Sequence, residues 1–291
     1  MMEGERNVLT HRGCRLAYAV RGGGFPVVFI QGVGVHGDGW LPQVDGLAHL
    51  AACLTFDNRG MGLSQPIGAD ASVEQMAEDA RALMDAMGWE SAHVIGHSLG
   101  GLVALHLALT ARGRVRSLAL LCTFARGRDA GRSRRMLWLG LRTRLGTSRM
   151  RRSAFLEIVM PPGMLAGADR ESLASGLAPT FGHDLAHQPT AVTKQLAALR
   201  AYDATARLGE LSGLPSLVVS AGHDPIAPPS LGRSLAAGVS GATYVEIPEA
   251  SHGVPIHESD RINALLVEHL TASEARWHAR STASPPVGQE R

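Results

Sequence analysis

Short apolar segments recur along the first half of the chain and again towards its end. Most are apolar at consecutive positions, which is typical of parallel strands that helices cover on both faces. We predict seven such strands, in the segment CRLAYAV that begins at Cys14 and in residues 26–30, 51–56, 92–96, 115–121, 215–220 and 242–247.

Segments with a helical pattern alternate with these strands. SVEQMAEDARALMDAMG begins with Ser72, a suitable N-cap, and ends at Gly88, a residue that often stops a helix. LGGLVALHLALTARG and, near the end of the chain, DRINALLVEHL have the same helical character. Strands that alternate with helices predict a doubly wound α/β sheet.

The alternation stops between residues 124 and 208. Apolar strand segments are missing there, and the helical patterns are interrupted by Pro161, Pro162, Pro179 and Pro189. We therefore predict a helical cap at 124–208, inserted into an α/β core formed by residues 1–123 and 209–272. Residues 273–291 end in STASPPVGQER, a composition that favours a flexible tail.

Composition narrows the class of protein. The 291 residues are 45% apolar, enough for a sizeable core, and the net charge of +2 gives no support for a nucleic-acid partner. The N-terminus lacks an apolar signal segment and no apolar run reaches about 18 residues, so we expect a soluble cytoplasmic protein. Three widely spaced cysteines predict buried thiols rather than disulfides or a metal site.

One serine lies among glycines between a predicted strand and a predicted helix. In VIGHSLGG, Ser98 occupies the turn, with Gly96 and Gly100 on either side. A strained turn of this kind holds the serine side chain up at the carboxyl edge of the sheet. The amide of Leu99, at the helix N-terminus, is then free to donate to a developing negative charge. The pattern predicts a nucleophile elbow with Ser98 as the nucleophile.

A serine nucleophile needs a general base and an acid that orients this base. Asp224 follows the strand at 215–220 and His252 follows the strand at 242–247. The carboxyl ends of parallel strands meet at one edge of a sheet, so we expect both residues near Ser98. Asp129 and His257 are the alternatives, less favoured because Asp129 lies among arginines and His257 lies near the last helix.

The chain resembles the α/β-hydrolase fold superfamily over roughly residues 14–270. The segments that carry the resemblance are VVFIQG, TFDNRGMGLS, VIGHSLGG, VVSAGHDPIAP and IPEASHGVPI. The resemblance implies an eight-stranded, mostly parallel sheet with a serine triad. It also implies that Ser98 is the nucleophile, Asp224 the acid and His252 the general base.

The oxyanion hole departs from the common pattern of this superfamily. Relatives often have His-Gly directly after the third strand, where this chain has Gln31, Gly32 and Val33. Backbone donors need no particular side chain, so we assign the oxyanion hole to the amides of Val33 and Leu99. Gln31 is expected beside the substrate.

Specificity is expected to reside in the cap. Between Arg126 and Arg152 there are ten arginines and one acid, Asp129. Such a segment could bind an anionic membrane surface or attract an anionic substrate into the pocket. We favour a third interpretation, a cap helix whose leucines face the pocket and whose arginines face water. The apolar candidates for contact with substrate are Trp138, Phe155 and Met160, together with Met136, Met164 and Phe181.

The sequence thus predicts a serine hydrolase that cleaves a small to medium, largely apolar carboxylic ester or lactone without a metal or cofactor. Carbon–carbon bond hydrolysis, enol-lactone opening and cofactor-free perhydrolysis of the haloperoxidase type are alternatives on the same triad. A ligand sensor on a hydrolase fold is a further alternative. The physiological substrate and the oligomeric state are not assigned.

Overall fold

Eight strands form one sheet in the computed structural model, which describes residues 6–68 and 71–283. The order across the sheet is β1-β2-β4-β3-β5-β6-β7-β8. β2 is antiparallel to both of its neighbours, and the strands from β4 to β8 are parallel. The strands are β1 (Asn7–His11), β2 (Cys14–Arg21), β3 (Phe25–Ile30), β4 (Ala51–Phe56), β5 (Ala92–His97), β6 (Val115–Leu121), β7 (Ser216–Ala221) and β8 (Thr243–Ile247).

Eleven α-helices accompany the sheet within the described residues. None of them is long and apolar enough to cross a membrane. They are α1 (Leu41–Leu47), α2 (Val73–Ala86), α3 (Leu99–Thr110), α4 (Arg134–Arg142), α5 (Ser148–Val159), α6 (Pro162–Leu165), α7 (Arg170–Phe181), α8 (Ala191–Ala201), α9 (Pro229–Gly238), α10 (Val254–His257) and α11 (Ser259–Ala283).

Helices cover the sheet on both faces, which confirms the doubly wound fold. One apolar core forms between the sheet and helices α2, α3 and α9, and a second forms between the opposite face and helices α1 and α11. β5 and β7 are buried at every position because both faces of these central strands are covered. Ser72 caps α2 as predicted, since its side chain accepts a hydrogen bond from the Gln75 amide.

Two predictions at the ends of the chain need correction. The seven strands predicted from the pattern are present, but β1 was not among them, because this edge strand is largely exposed and lacks a buried apolar run. The flexible tail was predicted from residue 273, yet α11 continues to Ala283. Ser273 is buried and Glu274 binds Arg116 of β6, so this part of the helix packs on the core. Residues 284–291 lie outside the described part.

All regular secondary structure in the described segment between β6 and β7 is helical. Residues 124–208, here called the helical insertion, contain α4 to α8 and no strand among the described residues. Side chains from α4, α5 and α7, including Leu139, Leu156 and Leu177, form a small apolar cluster of their own. The insertion begins after the carboxyl end of β6 and ends before the start of β7.

Candidate active site

Ser98 lies in the turn between β5 and α3. Its backbone has φ 54° and ψ −116°, a conformation that residues other than glycine rarely adopt. The Ser98 amide donates a hydrogen bond to the Leu121 carbonyl at 3.0 Å, which fixes the strained turn to the end of β6. The strain therefore occurs at the residue that the sequence motif predicts as nucleophile.

Close packing holds this turn in place. A Cβ atom on Gly96 would collide with the Gly100 carbonyl, and one on Gly100 would collide with the Ile30 carbonyl. The Thr123 hydroxyl donates to the Ser98 carbonyl at 2.7 Å. The motif identifies the glycines, but sequence reasoning missed Thr123, whose only signal is its position just after β6.

Asp224 and His252 meet at the same edge of the sheet. His252 Nδ1 lies 2.7 Å from Asp224 Oδ2, and both side chains are buried. Burial acts to raise the pKa of Asp224, but His252 and the amides of Ile226 and Ala227 outweigh it and hold the pKa below its usual value. The carboxylate accepts the Nδ1 proton, so Nε2 of His252 is left as an acceptor, as a general base requires.

The loop that carries His252 is attached to the end of α5. Ser251 Oγ donates to the Ile158 carbonyl at 3.0 Å, and the Gly253 amide donates to the Val159 carbonyl at 2.8 Å. Carbonyls in the last turn of a helix lack partners within the helix and accept such bonds readily. The helical insertion thus helps to fix the position of His252.

The two alternative residues have other contacts. Asp129 forms ion pairs with Arg126 and Arg132 at 2.8 and 3.2 Å, and its hydrogen bond from Arg126 lowers its pKa. His257 Nε2 accepts a hydrogen bond from the Ser251 amide at 3.3 Å. Asp129 is therefore a surface charge, and His257 supports the loop next to His252.

Two buried groups near Asp224 were not predicted as part of the site. His97 Nε2 donates to the His252 carbonyl at 2.9 Å, and burial lowers the pKa of His97 to about 3, so the ring is neutral. Burial and the neighbouring Asp224 charge raise the pKa of the Cys122 thiol. The Cys122 thiol, one ring nitrogen of His97 and one ring nitrogen of His252 lie within 4.8 Å of one another. The hydrogen bonds of both rings lead us to interpret this cluster as packing around Asp224 rather than as a metal site.

The loop after β3 lies beside Ser98. A Cβ atom on Gly32 would be 3.2 Å from Ser98 Cβ, so only glycine permits this approach without a shift. The Gly32 amide donates to Gln31 Oε1 at 3.2 Å, and the Gly34 amide donates to Gln195 Oε1 at 2.9 Å. Two amides of this loop are therefore already used within the protein.

Two other amides in this region are free to bind a ligand. Those of Val33 and Leu99 have no hydrogen-bond partner in the described part of the chain. Leu99 is the first residue of α3, where amides lack partners within the helix and the helix dipole favours negative charge. These are the two amides that the sequence pattern predicts as the donors of an oxyanion hole.

A cavity of about 730 Å³ lies above the serine. Ser98 and His252 line it together. Of the side chains predicted to contact substrate, Gln31, Met136, Phe155 and Phe181 also line it. Apolar side chains from the loops and from the insertion make up much of the remaining wall, among them Val33, Val35, Leu196 and Ile226.

Trp138 and Met160 do not line the cavity, and their predicted contact with substrate is corrected. Met160 is the C-cap residue that follows α5 and is buried in the apolar cluster of the insertion. Trp138 is 56% exposed, and the Arg142 guanidinium stacks on its ring at 4.4 Å. Met164 is also exposed and outside the cavity wall. Which side of a cap helix faces the cavity depends on tertiary packing, which a short sequence pattern does not determine.

The arginine-rich segment contributes to the cavity as well as to the surface. Leu137 and Leu141 line the cavity, as expected, although both side chains are more than half exposed. Arg144 and Arg151 line it too. The expectation that the arginines of this segment face only water is therefore wrong for these two.

The sheet, the strained serine turn and the cavity are those of a hydrolase. The chain belongs to the α/β hydrolase fold family, whose match covers residues 26–258. It is 31% identical to the provisionally named carbamate hydrolase RutD of Azorhizobium caulinodans, over 87% of this chain and 93% of that protein.

Solved structures give the same fold. The crystal structure of the enol-lactonase from Burkholderia xenovorans is similar with a TM-score of 0.77 and 26% identity, over 91% of this chain and 100% of that chain. The provisionally named non-heme bromoperoxidase BpoC from Mycobacterium tuberculosis is similar with a TM-score of 0.75 and 26% identity, over 89% of this chain and 96% of that chain.

Proposed function

We propose that this protein is a serine hydrolase that cleaves a small to medium, largely apolar carboxylic ester or lactone through an acyl-enzyme on Ser98. The observation that supports this best is the 2.7 Å hydrogen bond between Asp224 and His252 in a cavity that His252 and Ser98 line together. The cavity volume of about 730 Å³ is in the range of sites for small organic ligands.

In the proposed reaction, His252 Nε2 takes the proton of Ser98 Oγ while this oxygen attacks the carbonyl carbon of the substrate. The amides of Val33 and Leu99 donate to the negative oxygen of the tetrahedral intermediate. His252 then protonates the leaving alcohol, and an acyl group stays on Ser98. Water attacks the acyl-enzyme with His252 again as base, which releases the carboxylic acid and restores the serine.

Hydrolysis of a series of chromogenic esters with C2 to C12 acyl chains tests this proposal. We expect the Ser98→Ala variant to lose about 10³-fold or more of the wild-type turnover, because the nucleophile is missing. The Ser240→Ala variant is the matched control, since Ser240 is exposed and outside the cavity wall. A wild type that turns over no ester would contradict the ester function and would favour a narrow lactone substrate, a carbon–carbon substrate or a sensor role.

A carbamate is the second candidate substrate, favoured by the similarity to the provisionally named carbamate hydrolase. Its carbonyl carbon is open to the same attack by Ser98, but its nitrogen makes that carbon less electrophilic. An ester and an N-methylcarbamate with the same nitrophenol leaving group separate the two functions. We expect the higher kcat/KM with the ester, and a higher value with the carbamate would reverse the assignment.

A further inference from the structure

The charged residues that line the cavity are all of one sign. Arg144, Arg151 and Arg200 belong to its wall, and no aspartate or glutamate does so within residues 6–68 and 71–283. A cleft with charges of one sign and apolar walls concentrates the opposite charge, because the surrounding protein screens the field poorly. An anionic ligand is therefore favoured in this cavity over a cationic one.

Arg151 differs from most partly buried arginines of the insertion. Arg142 and Arg152 form ion pairs with carboxylates of the insertion at 2.7 to 3.3 Å. Arg151 has no carboxylate at ion-pair distance among the described residues, and its guanidinium reaches only Ser148 Oγ, at 3.4 Å. Its Nε atom is buried and without a hydrogen-bond partner in the same part of the chain. A buried cationic donor without a partner is costly, and a bound anion would remove that cost.

A second unpaired donor belongs to the same wall. Nε2 of Gln188 is buried and has no hydrogen-bond partner among the described residues. Gln188 lies on the side of the cavity near Gly34, next to the loop that contains Val33. The residues of the cavity wall thus include two buried donor atoms, one of Arg151 and one of Gln188, that have no acceptor among the described residues and could bind anionic oxygens.

The position of Arg151 on α5 indicates where the anion would lie. Arg151, Phe155 and Ile158 follow one another at helical spacing on one face of α5, and all three line the cavity. The carbonyl of Ile158 holds the loop of His252. Seven residues of helix separate Arg151 from this end, a rise of about 10 Å. The backbone of Arg151 therefore lies farther along α5 from the His252 loop than that of Ile158, and an anion bound to its guanidinium would lie away from the reacting groups.

We propose that the cavity takes an anionic substrate, an otherwise apolar ester or lactone with a carboxylate or phosphate group remote from the scissile carbonyl. Arg151 binds this anionic group, and Arg144 and Arg200 attract it into the cavity. The inference rests on the proposed function, because it specifies the substrate of the same site. A guanidinium suits either anion, since both accept two parallel hydrogen bonds.

Two esters that differ in one charge test the inference. One is the mono-nitrophenyl ester of suberic acid, with a free carboxylate at the far end, and the other is the same ester with that carboxylate methylated. We expect the wild type to prefer the charged ester by about 10-fold or more in kcat/KM. The Arg151→Gln variant is expected to lose this preference mainly through KM, and Arg151→Lys is expected to retain part of it.

The Arg135→Gln variant is the matched control. Arg135 is exposed on α4 and does not line the cavity. Its substitution removes the same charge from the same insertion. We expect it to keep the preference. Equal loss in both variants, or a wild type that does not prefer the charged ester, would overturn the inference. Competition by suberate and by octyl phosphate distinguishes the two anions, and the stronger Arg151-dependent inhibitor identifies the group.

Failure of the proposed function gives a different result, in which no variant cleaves either ester. Calorimetric binding of suberate and of octyl phosphate then tests the anion site alone. Binding that Arg151→Gln weakens and Arg135→Gln does not would support the site. Absence of binding of both anions to the wild type would overturn it.

Discussion

The carboxyl edge of the sheet and the helical insertion hold their side chains in different ways. At the edge, Asp224, His252 and Thr123 are each less than 10% exposed and hydrogen-bonded at 2.7 Å. In the insertion, Leu137 and Leu141 line the cavity and are more than half exposed. Groups that perform chemistry need one fixed geometry, whereas groups that select a ligand tolerate an adaptable one. We therefore propose that the sheet edge determines the reaction and that the insertion determines which substrate reaches it.

The surface of the insertion supports this division. Nine large hydrophobic side chains are exposed in the described residues, and six of them belong to the insertion. Substitution of one of these six would change the protein surface rather than a packed core. These six are Leu137, Trp138, Leu141, Leu145, Met150 and Met164. Substitutions at the sheet edge are therefore expected to act on kcat, and substitutions in the insertion to act on KM or on stability.

Among substitutions that leave Ser98 and His252 in place, Asp224→Asn is expected to have the largest effect on turnover. The asparagine oxygen can still accept from the amides of Ile226 and Ala227, so the fold is retained. Its amide group would then face Nδ1 of His252, which moves the imidazole proton to Nε2 and removes the base. We expect kcat for ester hydrolysis to fall by about 10³ to 10⁴-fold.

The matched control for this prediction is Asp129→Asn. Asp129 carries the same charge but pairs with arginines on the surface of the insertion. Unchanged turnover in this variant is expected. A loss smaller than 10-fold in Asp224→Asn would show that His252 does not depend on this carboxylate.

An intermediate effect is expected for the ion pair between α11 and the sheet. Arg116 and His93 hold Glu274 at 2.7 and 2.9 Å. Burial acts to raise the pKa of Glu274, but His93 and Arg116 outweigh it and lower the pKa to about 2. The folded state therefore binds the proton more weakly than the unfolded chain. Glu274 contributes stability above its ordinary pKa of about 4.5, and this contribution is lost as the pH falls towards 2.

Urea unfolding of the Glu274→Gln variant at neutral and acidic pH measures this contribution. We expect the free energy of unfolding to fall by about 1 to 2 kcal/mol at pH 7 and the difference from wild type to shrink below pH 4.5. Asp184→Asn, which breaks a more exposed ion pair with Arg152 in the insertion, provides the comparison. It should cost less, and salt should reduce its effect. A pH-independent loss in Glu274→Gln would exclude the ion pair as its cause.

The chain pattern predicted most of the sheet and the three proposed catalytic residues. Buried parallel strands have a local signature, and their carboxyl ends share one edge, so Ser98, Asp224 and His252 were expected together. β1 was missed because an exposed edge strand has no such signature. The last turns of α11 were missed because their attachment depends on Glu274, a polar residue that is distant in sequence from its partners.

Side-chain direction in the insertion was harder to predict. Phe155 lines the cavity as expected, whereas Trp138 lies outside and Arg151 lies inside. Helical periodicity identifies which residues share a face, but it does not identify which face turns towards the site. Which face turns towards the site depends on contacts with the loops at the carboxyl edge of the sheet and with neighbouring helices, and these are remote in the sequence.

The smallest expected effect is that of Trp138→Ala. Trp138 lies outside the cavity wall, and its main contact is the Arg142 guanidinium at 4.4 Å from the ring centre. We expect a loss of about 0.5 to 1 kcal/mol in the free energy of unfolding, as for an exposed cation–π contact, with kcat/KM for esters within about 2-fold of wild type. Phe155→Ala is the comparison, because its ring lines the cavity and its loss should raise KM. A change in KM with Trp138→Ala as large as with Phe155→Ala would mean that the insertion moves to bring Trp138 against the substrate, and the division between the two faces of its helices would have to be revised.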